Sequence, residues 1–173
     1  MSGDQYLASE DSALLGRALK GRTGERFLEI GAGNGGNLVG LADDFRLVVG
    51  TDLVRPSMTD WRGAGANFVV ADGGSCVQDG TFDLVAFNPP YVPGPIDDKA
   101  VDGGPSLEVP KRFLRDALRA AKRRGEVVFV LNDQAELEEF RRIALEGGFE
   151  LRPFASEKLF FEELTVYVAA GAL

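Results

Sequence analysis

The sequence predicts an α/β domain built on an open, mostly parallel sheet with helices on both faces. Three observations support this fold class. Short apolar runs of strand length alternate with stretches whose apolar residues recur at helical spacing. A glycine-rich turn, Gly31 to Gly36, follows the first strand. Polar residues (Asp52, Asp72 and Asn88) end three later strands, as expected at the edge where a doubly wound sheet binds its ligand.

The strands and helices follow in a regular order. The first helix begins at Asp11 or Ser12, either of which is a good N-cap. Strands are predicted over residues 27–30, 46–51, 67–71, 82–87, 126–131, 149–154 and 164–169. Further helices are predicted over residues 37–43, 107–124 and 134–146, the second of these capped by Gly125, with a weak helix or loop over 55–65. The last two strands have a short connection, which predicts an antiparallel pair at one edge.

Length and charge describe a single acidic domain. The chain has 173 residues, which fits one domain over 1–173, and a formal net charge of −8. It contains 14 Arg and 5 Lys. That composition is similar to a halophilic-type acidic surface, and an ordinary acidic mesophilic protein is the alternative. Unaided binding to nucleic acid is disfavoured, because phosphate contacts need clustered cations.

The residue types that are missing exclude several classes of enzyme. The sequence has no histidine and a single cysteine, Cys76. Serine and cysteine triads, most zinc enzymes and internal disulfides are therefore excluded, and no metal site is expected. Ser2 to Gln5 are polar, and no apolar run approaches the length of a membrane span. We expect a soluble cytoplasmic protein.

The glycine turn is compatible with two cofactors. Gly31, Gly33 and Gly36 satisfy the dinucleotide fingerprint, whereas Gly31, Gly33 and Gly35 satisfy the shorter pattern of adenosylmethionine enzymes. Asp52 lies where either cofactor would need a carboxylate for its ribose hydroxyls. A tight strand–helix turn without a ligand is the alternative.

Three features favour S-adenosylmethionine. Glu29 precedes the turn, and an acid there suits a cationic methyl donor better than a pyrophosphate. Asp72 and Gly73 offer an acceptor and an N–H for an adenine edge, although Asp72 is also an ordinary turn residue. The motif Asn88-Pro89-Pro90-Tyr91, after the fourth strand, has no use in hydride transfer.

The Asn88 motif has its own chemistry. Two consecutive prolines stiffen the chain as it leaves the sheet. The Asn88 side chain and the Pro89 carbonyl then present two acceptor oxygens, which suit a planar donor such as an amide NH2 or an exocyclic amine. The Tyr91 ring offers a face for a planar group. An ordinary proline-rich turn is the alternative.

These residues together resemble a known family, the HemK-type release-factor glutamine methyltransferases. The resemblance runs from about Tyr6 to Ala169. It is carried by Glu10-Asp11-Ser12-Ala13-Leu14-Leu15, Leu28-Glu29-Ile30-Gly31-Ala32-Gly33, Phe87 to Val92 and Asp102-Gly103-Gly104. The segment Leu53 to Met58 departs from the family by being shorter and less regular than the usual helix.

The resemblance implies a fold, an activity and partners. The fold is a single Rossmann-like methyltransferase domain with a seven-stranded, mostly parallel sheet and an antiparallel strand near one edge. The activity is methylation of the glutamine amide in the Gly-Gly-Gln loop of the class I release factor. Bacterial members carry an additional N-terminal helical domain, so we expect the short archaeal and eukaryotic form. That form works with a small zinc-binding activator.

The resemblance also assigns site residues. Asn88, Pro89, Pro90 and Tyr91 would form the catalytic motif, with the amide held by Asn88 and Pro89. Tyr6 and Ser12 would close over the methionine end of the cofactor. The complete set of expected cofactor contacts is Tyr6, Asp11, Ser12, Glu29, Gly31, Ala32, Gly33, Gly35, Asp52, Leu53, Asp72, Gly73 and Asn88.

The third strand is the expected docking site of the activator. The family fold places Asn67–Ala71 at the sheet edge, where an apolar strand is a liability unless it is covered. Trp61 and Phe68 lie near it in sequence. Each aromatic residue taken singly is better explained as part of the core, whereas the two together beside an edge strand suggest the docking site.

Other functions remain open at the level of sequence. A nucleic-acid amino-methyltransferase uses the same four-residue motif, usually with a basic face. The run Lys122-Arg123-Arg124 is interpreted instead as the solvated end of a helix. Protein lysine methylation and a non-catalytic scaffold are further alternatives, and the intact Asn88 motif disfavours the scaffold.

Overall fold

The structure is a computed structural model that describes residues 10–55, 65–97, 102–160 and 162–171. Within these ranges the helices are α1 (Glu10–Leu19), α2 (Gly36–Gly40), α3 (Glu108–Ala120) and α4 (Leu137–Glu146). The strands are β1 (Gly24–Ile30), β2 (Phe45–Asp52), β3 (Asn67–Val70), β4 (Phe82–Phe87), β5 (Val92–Pro93), β6 (Asp102–Gly104), β7 (Ala121–Asn132), β8 (Phe149–Lys158) and β9 (Glu163–Gly171).

Seven of these strands form one sheet in the order β3-β2-β1-β4-β7-β9-β8. The first five in this order are parallel, and β9 is antiparallel to both of its neighbours. The predicted fold class is therefore confirmed, including the antiparallel strand near one edge. The strand order reverses between β1 and β4, and ligands bind at such a switch point in open α/β sheets.

Alternating side chains of the sheet build two apolar layers. On one face α3 and α4 cover Phe87 and Phe129 of the sheet, whose rings are stacked with centroids 4.8 Å apart, and α4 contributes Phe140 to this layer. On the other face α1 packs against β7, β8 and β9, and its Leu15 shares the second layer with the fully buried Phe27 of β1. The two layers fix the sheet from both sides, so the loops at its carboxyl edge start from rigid positions.

The helix predicted over residues 107–124 is four residues too long at its end. α3 ends at Ala120, because Ala121 already pairs with Phe82 of β4. Gly125 is therefore not a helix cap, and a Cβ there would lie 3.0 Å from the Asp83 carbonyl oxygen. The run Lys122-Arg123-Arg124 belongs to β7 and not to a helix end, and Lys122 Nζ lies 2.5 Å from Asp83 Oδ1.

Other predicted boundaries also shift. α1 begins at Glu10, so Asp11 and Ser12 lie inside its first turn and are not its N-cap. α2 is shorter than expected, and the long loop after Tyr91 contains the small parallel pair β5–β6. Tyr6, Trp61 and most of the weak helix predicted over 55–65 lie outside the described residues. Among the helices that are described, none is long and apolar enough to cross a membrane.

Candidate active site

The glycine turn places three left-handed residues at the carboxyl end of β1. Gly31, Gly33 and Gly35 have φ of 70°, 53° and 79°, values that favour glycine over residues with a Cβ. A Cβ at Gly33 would meet no atom within 4 Å, so the turn leaves open space in front of its backbone. The Ala32 N–H donates to the Thr51 carbonyl at 2.9 Å, which ties the turn to β2.

Glu29 lies directly before this turn and is buried, with 4% of its surface exposed. Its Oε1 accepts a hydrogen bond of 2.7 Å from Asn37 Nδ2 on α2. Its Oε2 is buried and has no hydrogen-bond partner among the residues that the structure describes. Burial raises the pKa of Glu29 to about 8, against the bond from Asn37, and the nearby Asp52 carboxylate adds to the rise. The carboxyl group is therefore poised to ionise when a cation is placed beside it.

Asp52 ends β2 with both carboxylate oxygens held by backbone donors. Oδ2 accepts the Gly33 N–H at 2.9 Å, and Oδ1 accepts the Val54 N–H at 3.1 Å. The fixed carboxylate still has lone pairs available to neighbouring hydroxyl groups. Leu53, which follows it, exposes 46% of its surface.

The segment after β3 is anchored by α3. Thr51 Oγ1 donates to the Gly73 carbonyl at 2.9 Å, and the Gly74 N–H donates to Asp116 Oδ2 at 3.0 Å. The Asp72 carboxylate pairs with Arg112 at 2.7 Å. A charged pair and a fixed turn therefore border the space beyond β2 and β3.

The Asn88 motif is joined to the start of α1. Asn88 Nδ2 donates to Ser12 Oγ at 3.2 Å, and Tyr91 Oη donates to Asp11 Oδ2 at 2.9 Å. Pro89 is buried. The first helical turn and the loop after β4 thus form one hydrogen-bonded unit, although about 80 residues separate them in sequence.

Asn88 presents an unused acceptor at this point. Its Oδ1 is buried and receives no hydrogen bond from any residue within the described ranges. Buried carbonyl oxygens are normally paired, so an unpaired one needs a specific explanation, of which a catalytic role is one. The amide is already oriented by its bond to Ser12, so the oxygen is held ready for a donor.

Gly103 of β6 supports the motif from the side. A Cβ on Gly103 would lie 2.7 Å from the Pro90 carbonyl oxygen and 3.3 Å from the Tyr91 Cα. The pairing of Val92 with Asp102 brings these backbones together. The resemblance noted for Asp102-Gly103-Gly104 therefore has a packing explanation: only a residue without a side chain permits this approach.

Most residues predicted from sequence thus lie together at the carboxyl edge of the sheet, and the structure adds further residues to them. The structure brings Glu29, the glycine turn, Asp52 and the Asn88 motif to the carboxyl ends of β1, β2 and β4. Tyr6 lies outside the described residues. Sequence reasoning missed Asn37, Arg112 and Asp116, which orient Glu29, Asp72 and the Gly73–Gly74 turn. The i, i+4 spacing of Arg112 and Asp116 on α3 was the available signal, since it places both on one helix face.

The residues present fit S-adenosylmethionine. A buried carboxyl group with an orphaned oxygen suits the cationic methionine end, and two acids near the turn disfavour a pyrophosphate. The left-handed glycines leave the backbone open to close approach, and Asp52 supplies acceptors at the ribose position. The same edge carries Asn88 with its orphaned oxygen. Fold and site together define an S-adenosylmethionine-dependent methyltransferase.

Comparisons with known proteins agree with this class. No family model matches the chain. Over 178 aligned residues the chain is 29% identical to a protein of Methanocaldococcus jannaschii named "putative protein N5-glutamine methyltransferase", covering 93% of this chain and 89% of that protein. The present chain also matches, in structure, a chain of the E. cuniculi Mtq2–Trm112 complex, which is described as responsible for methylation of the translation termination factor eRF1. That match has a TM-score of 0.79 and 27% identity, over 96% of this chain and 98% of the other.

A more distant match shows the fold alone. The 16S rRNA N2 G1207 methyltransferase RsmC of T. thermophilus, solved with AdoMet and guanosine, has a TM-score of 0.68 and 18% identity. It covers 93% of this chain and 38% of that chain. The domain architecture is therefore shared by methyltransferases with different substrates.

Proposed function

We propose that this chain methylates N5 of the glutamine side chain in the Gly-Gly-Gln loop of the class I release factor. The observation that carries the proposal is the orphaned Oδ1 of Asn88, buried at the carboxyl end of β4 and oriented by Ser12. The two relatives above, whose names refer to glutamine methylation or to eRF1, support the choice of substrate. The substrate is a planar amide, which donates two hydrogen bonds from one nitrogen.

The Asn88 motif positions the amide for attack. One amide N–H donates to Asn88 Oδ1, and the other donates to the Pro89 carbonyl oxygen. Both acceptors are fixed by the stiff Pro89–Pro90 turn and by the link to α1. Because the lone pair of an amide nitrogen is delocalised, the nitrogen is a weak nucleophile, and positioning supplies much of the rate acceleration. Tyr91, tied to Asp11, restrains the plane of the amide.

Bound S-adenosylmethionine supplies an electrophilic methyl group on a sulfonium. The glutamine nitrogen would take this methyl group as the C–S bond breaks, and the electron pair of that bond would stay on sulfur. The two acceptors stabilise the positive charge that develops on nitrogen. The surplus proton leaves to solvent once the nitrogen carries the methyl group. No strong base is needed before attack, which fits a chain without histidine.

The remaining site residues hold the cofactor. Glu29 would ionise to pair with the methionine ammonium group, and Asp52 would accept hydrogen bonds from the ribose hydroxyls. Asp72 and the Gly73 N–H would contact the adenine edge, with Arg112 holding the Asp72 carboxylate in place. Ser12 lies between the two halves of the site, because its hydroxyl contacts Asn88 while α1 packs on the sheet.

A small zinc-binding activator docks on β3 in this proposal. β3 pairs only with β2 within the described sheet, so its other edge is unpaired there. Val69 and Val70 expose 41% and 59% of their surface, and Val54, after β2, exposes 72%. An exposed apolar edge strand favours a partner that adds its own strand. The match to a chain of the Mtq2–Trm112 complex supports a two-chain enzyme.

The decisive experiment is a labelled methyl-transfer assay. The purified chain, with and without the activator, receives S-adenosylmethionine with a labelled methyl group, and release factor and DNA are offered in parallel reactions. We expect label on the release-factor glutamine and none on DNA, with the glutamine located by peptide mass spectrometry. Label on DNA alone, or on lysine, would overturn the proposal. A release factor with its loop glutamine changed to glutamate is the matched control.

A further inference from the structure

Another orphaned acceptor, Asn132, lies at the end of β7, the strand next to β4. β4 and β7 are parallel, and Phe87 is level with Phe129. Continuing this register places Asn88 level with Val130, and Asn132 two residues further along β7. Side chains two residues apart on a strand share a face. Asn88 and Asn132 therefore project from the same face of the sheet, the one that α1 covers.

Asn132 is deeply buried, although it is the last residue of β7. It exposes 7% of its surface, and its Oδ1 receives no hydrogen bond from the part of the chain that the structure describes. Its Nδ2 donates to Glu162 Oε2 at 3.3 Å. A carboxylate only accepts hydrogen bonds, so Glu162 fixes which end of the amide is oxygen. The Asn132 oxygen is thus directed away from Glu162 and kept unpaired.

The unpaired oxygen of the amide does not serve the stability of the fold. Val130 and Leu164, its neighbours on β7 and β9, are fully or almost fully buried apolar residues. Asn132→Leu would keep the shape and lose only the bond to Glu162, and replacing both partners of such a bond by apolar residues is close to neutral or stabilising. A buried orphan that the fold would be better without is an indication of function.

We propose that Asn132 is a positioning residue whose Oδ1 accepts a backbone N–H of the substrate segment that carries the glutamine. The inference rests on the proposed function. The residues beside the glutamine in the substrate loop are glycines, which offer only main-chain donors. Asn88 then holds the reacting side chain, while Asn132 holds the backbone from which it projects. Two acceptors on adjacent strands fix both the amide and its direction of approach.

The test compares two variants with the wild-type chain, each with its activator. Asn132→Leu removes the acceptor and keeps the shape. Asn132→Asp combined with Glu162→Gln exchanges acid and amide, so one carboxylate oxygen is held by the introduced amide and the other remains an acceptor for substrate. KM and kcat are measured with the release factor, the cofactor Kd by calorimetry, and Tm without substrate.

For Asn132→Leu we expect KM for the release factor to rise about tenfold, the effect of one lost hydrogen bond, with cofactor Kd unchanged. Its Tm should fall by no more than about 4 °C, the effect of the lost bond to Glu162. The exchanged pair should recover KM to within about threefold of the wild type. An unchanged KM in Asn132→Leu, a larger fall in its Tm, or failure of the exchanged pair to recover KM would each overturn the inference.

The outcomes separate this inference from the proposed function. If the wild-type chain does not methylate the release factor, the proposed function fails. The Tm comparison uses no substrate, so it judges the orphaned acceptor independently: a fall in Tm of more than about 4 °C in Asn132→Leu would show that the amide is structural.

Discussion

The Tyr91 hydroxyl donates a hydrogen bond of 2.9 Å to Asp11 Oδ2, joining the loop after β4 to the first turn of α1. The Ser12 N–H donates to the other oxygen of the same carboxylate at 2.6 Å. The Asp11 carboxylate therefore links the loop that carries the proposed substrate acceptors to the helix whose Ser12 orients Asn88. In the proposed enzyme, cofactor contacts and substrate contacts would be set by one connected group of residues.

This link predicts energetic coupling between Tyr91 and Asp11. Tyr91→Phe and Asp11→Asn each remove or weaken the same bond, so their effects on unfolding free energy will not add. We expect a coupling energy of about 1–2 kcal/mol, measured by urea unfolding of the two single variants and the double variant. Simple additivity would show that the bond does not form in solution.

Asn88→Ala tests the acceptor that we propose for the glutamine amide. Removing Oδ1 leaves the amide held at one point, and we expect kcat to fall by roughly 100-fold. Cofactor Kd should change by less than about threefold, because the other cofactor contacts remain. Asn88→Asp keeps an acceptor in the same place, so its kcat should fall less than that of Asn88→Ala. Near-normal turnover in Asn88→Ala, with cofactor affinity intact, would refute the mechanism.

Gly103→Ala tests the support behind the motif. The added Cβ would lie 2.7 Å from the Pro90 carbonyl oxygen, so the backbone of the loop must move. We expect kcat to fall by at least tenfold and stability to fall by about 1–3 kcal/mol. Gly40→Ala is the matched control, since a Cβ there meets nothing within 4 Å. Equal behaviour of the two variants in methyl transfer would contradict this account.

Glu29 predicts a pH dependence of stability in the cofactor-free chain. Its pKa is raised from 4.5 to about 8, mainly by burial, so the native state holds a proton that the unfolded chain releases. The contribution of Glu29 to the free energy of unfolding is complete below pH 4.5 and is lost as the pH rises through about 8. Urea unfolding at several pH values should show a steeper decline for the wild type than for Glu29→Gln. Parallel curves would show that Glu29 is not buried as a neutral acid.

The same carboxyl group predicts proton release when cofactor binds. A methionine ammonium beside Glu29 favours the ionised form, so binding below the pKa of about 8 must expel a proton. Cofactor affinity should therefore rise from pH 6 towards pH 8, and calorimetry in buffers of different ionisation enthalpy should detect the released proton. Glu29→Gln should abolish the release and weaken binding at every pH.

The sequence was sufficient for the elements that local pattern determines. The apolar runs and the polar residues that end them, such as Asp52 and Asn88, were enough to predict the sheet and its functional edge. Side-chain contacts could not be predicted, because nothing in the pattern of apolar and polar residues around Glu29 identifies Asn37 as its hydrogen-bond partner. The end of α3 was misjudged for a similar reason: helical spacing continues past Ala120, but pairing of the next residue with β4 overrides it. The unpaired oxygen of Asn132 is likewise visible only in the folded chain, where its amide nitrogen meets Glu162, 30 residues away in sequence.

The exposed edge of β3 predicts that partner binding and folding can be separated. Val70 exposes 59% of its surface, so Val70→Lys should change the stability of the isolated chain by less than about 0.5 kcal/mol. If β3 is the docking strand, the same change should weaken binding of the zinc-binding activator at least tenfold, since it places a charge against an apolar contact. Leu145→Lys on α4, at a position that is 67% exposed, is the matched control and should bind normally. Titration calorimetry of the three proteins with purified activator measures these affinities. Equal affinity for Val70→Lys and the wild type would place the partner elsewhere on the surface.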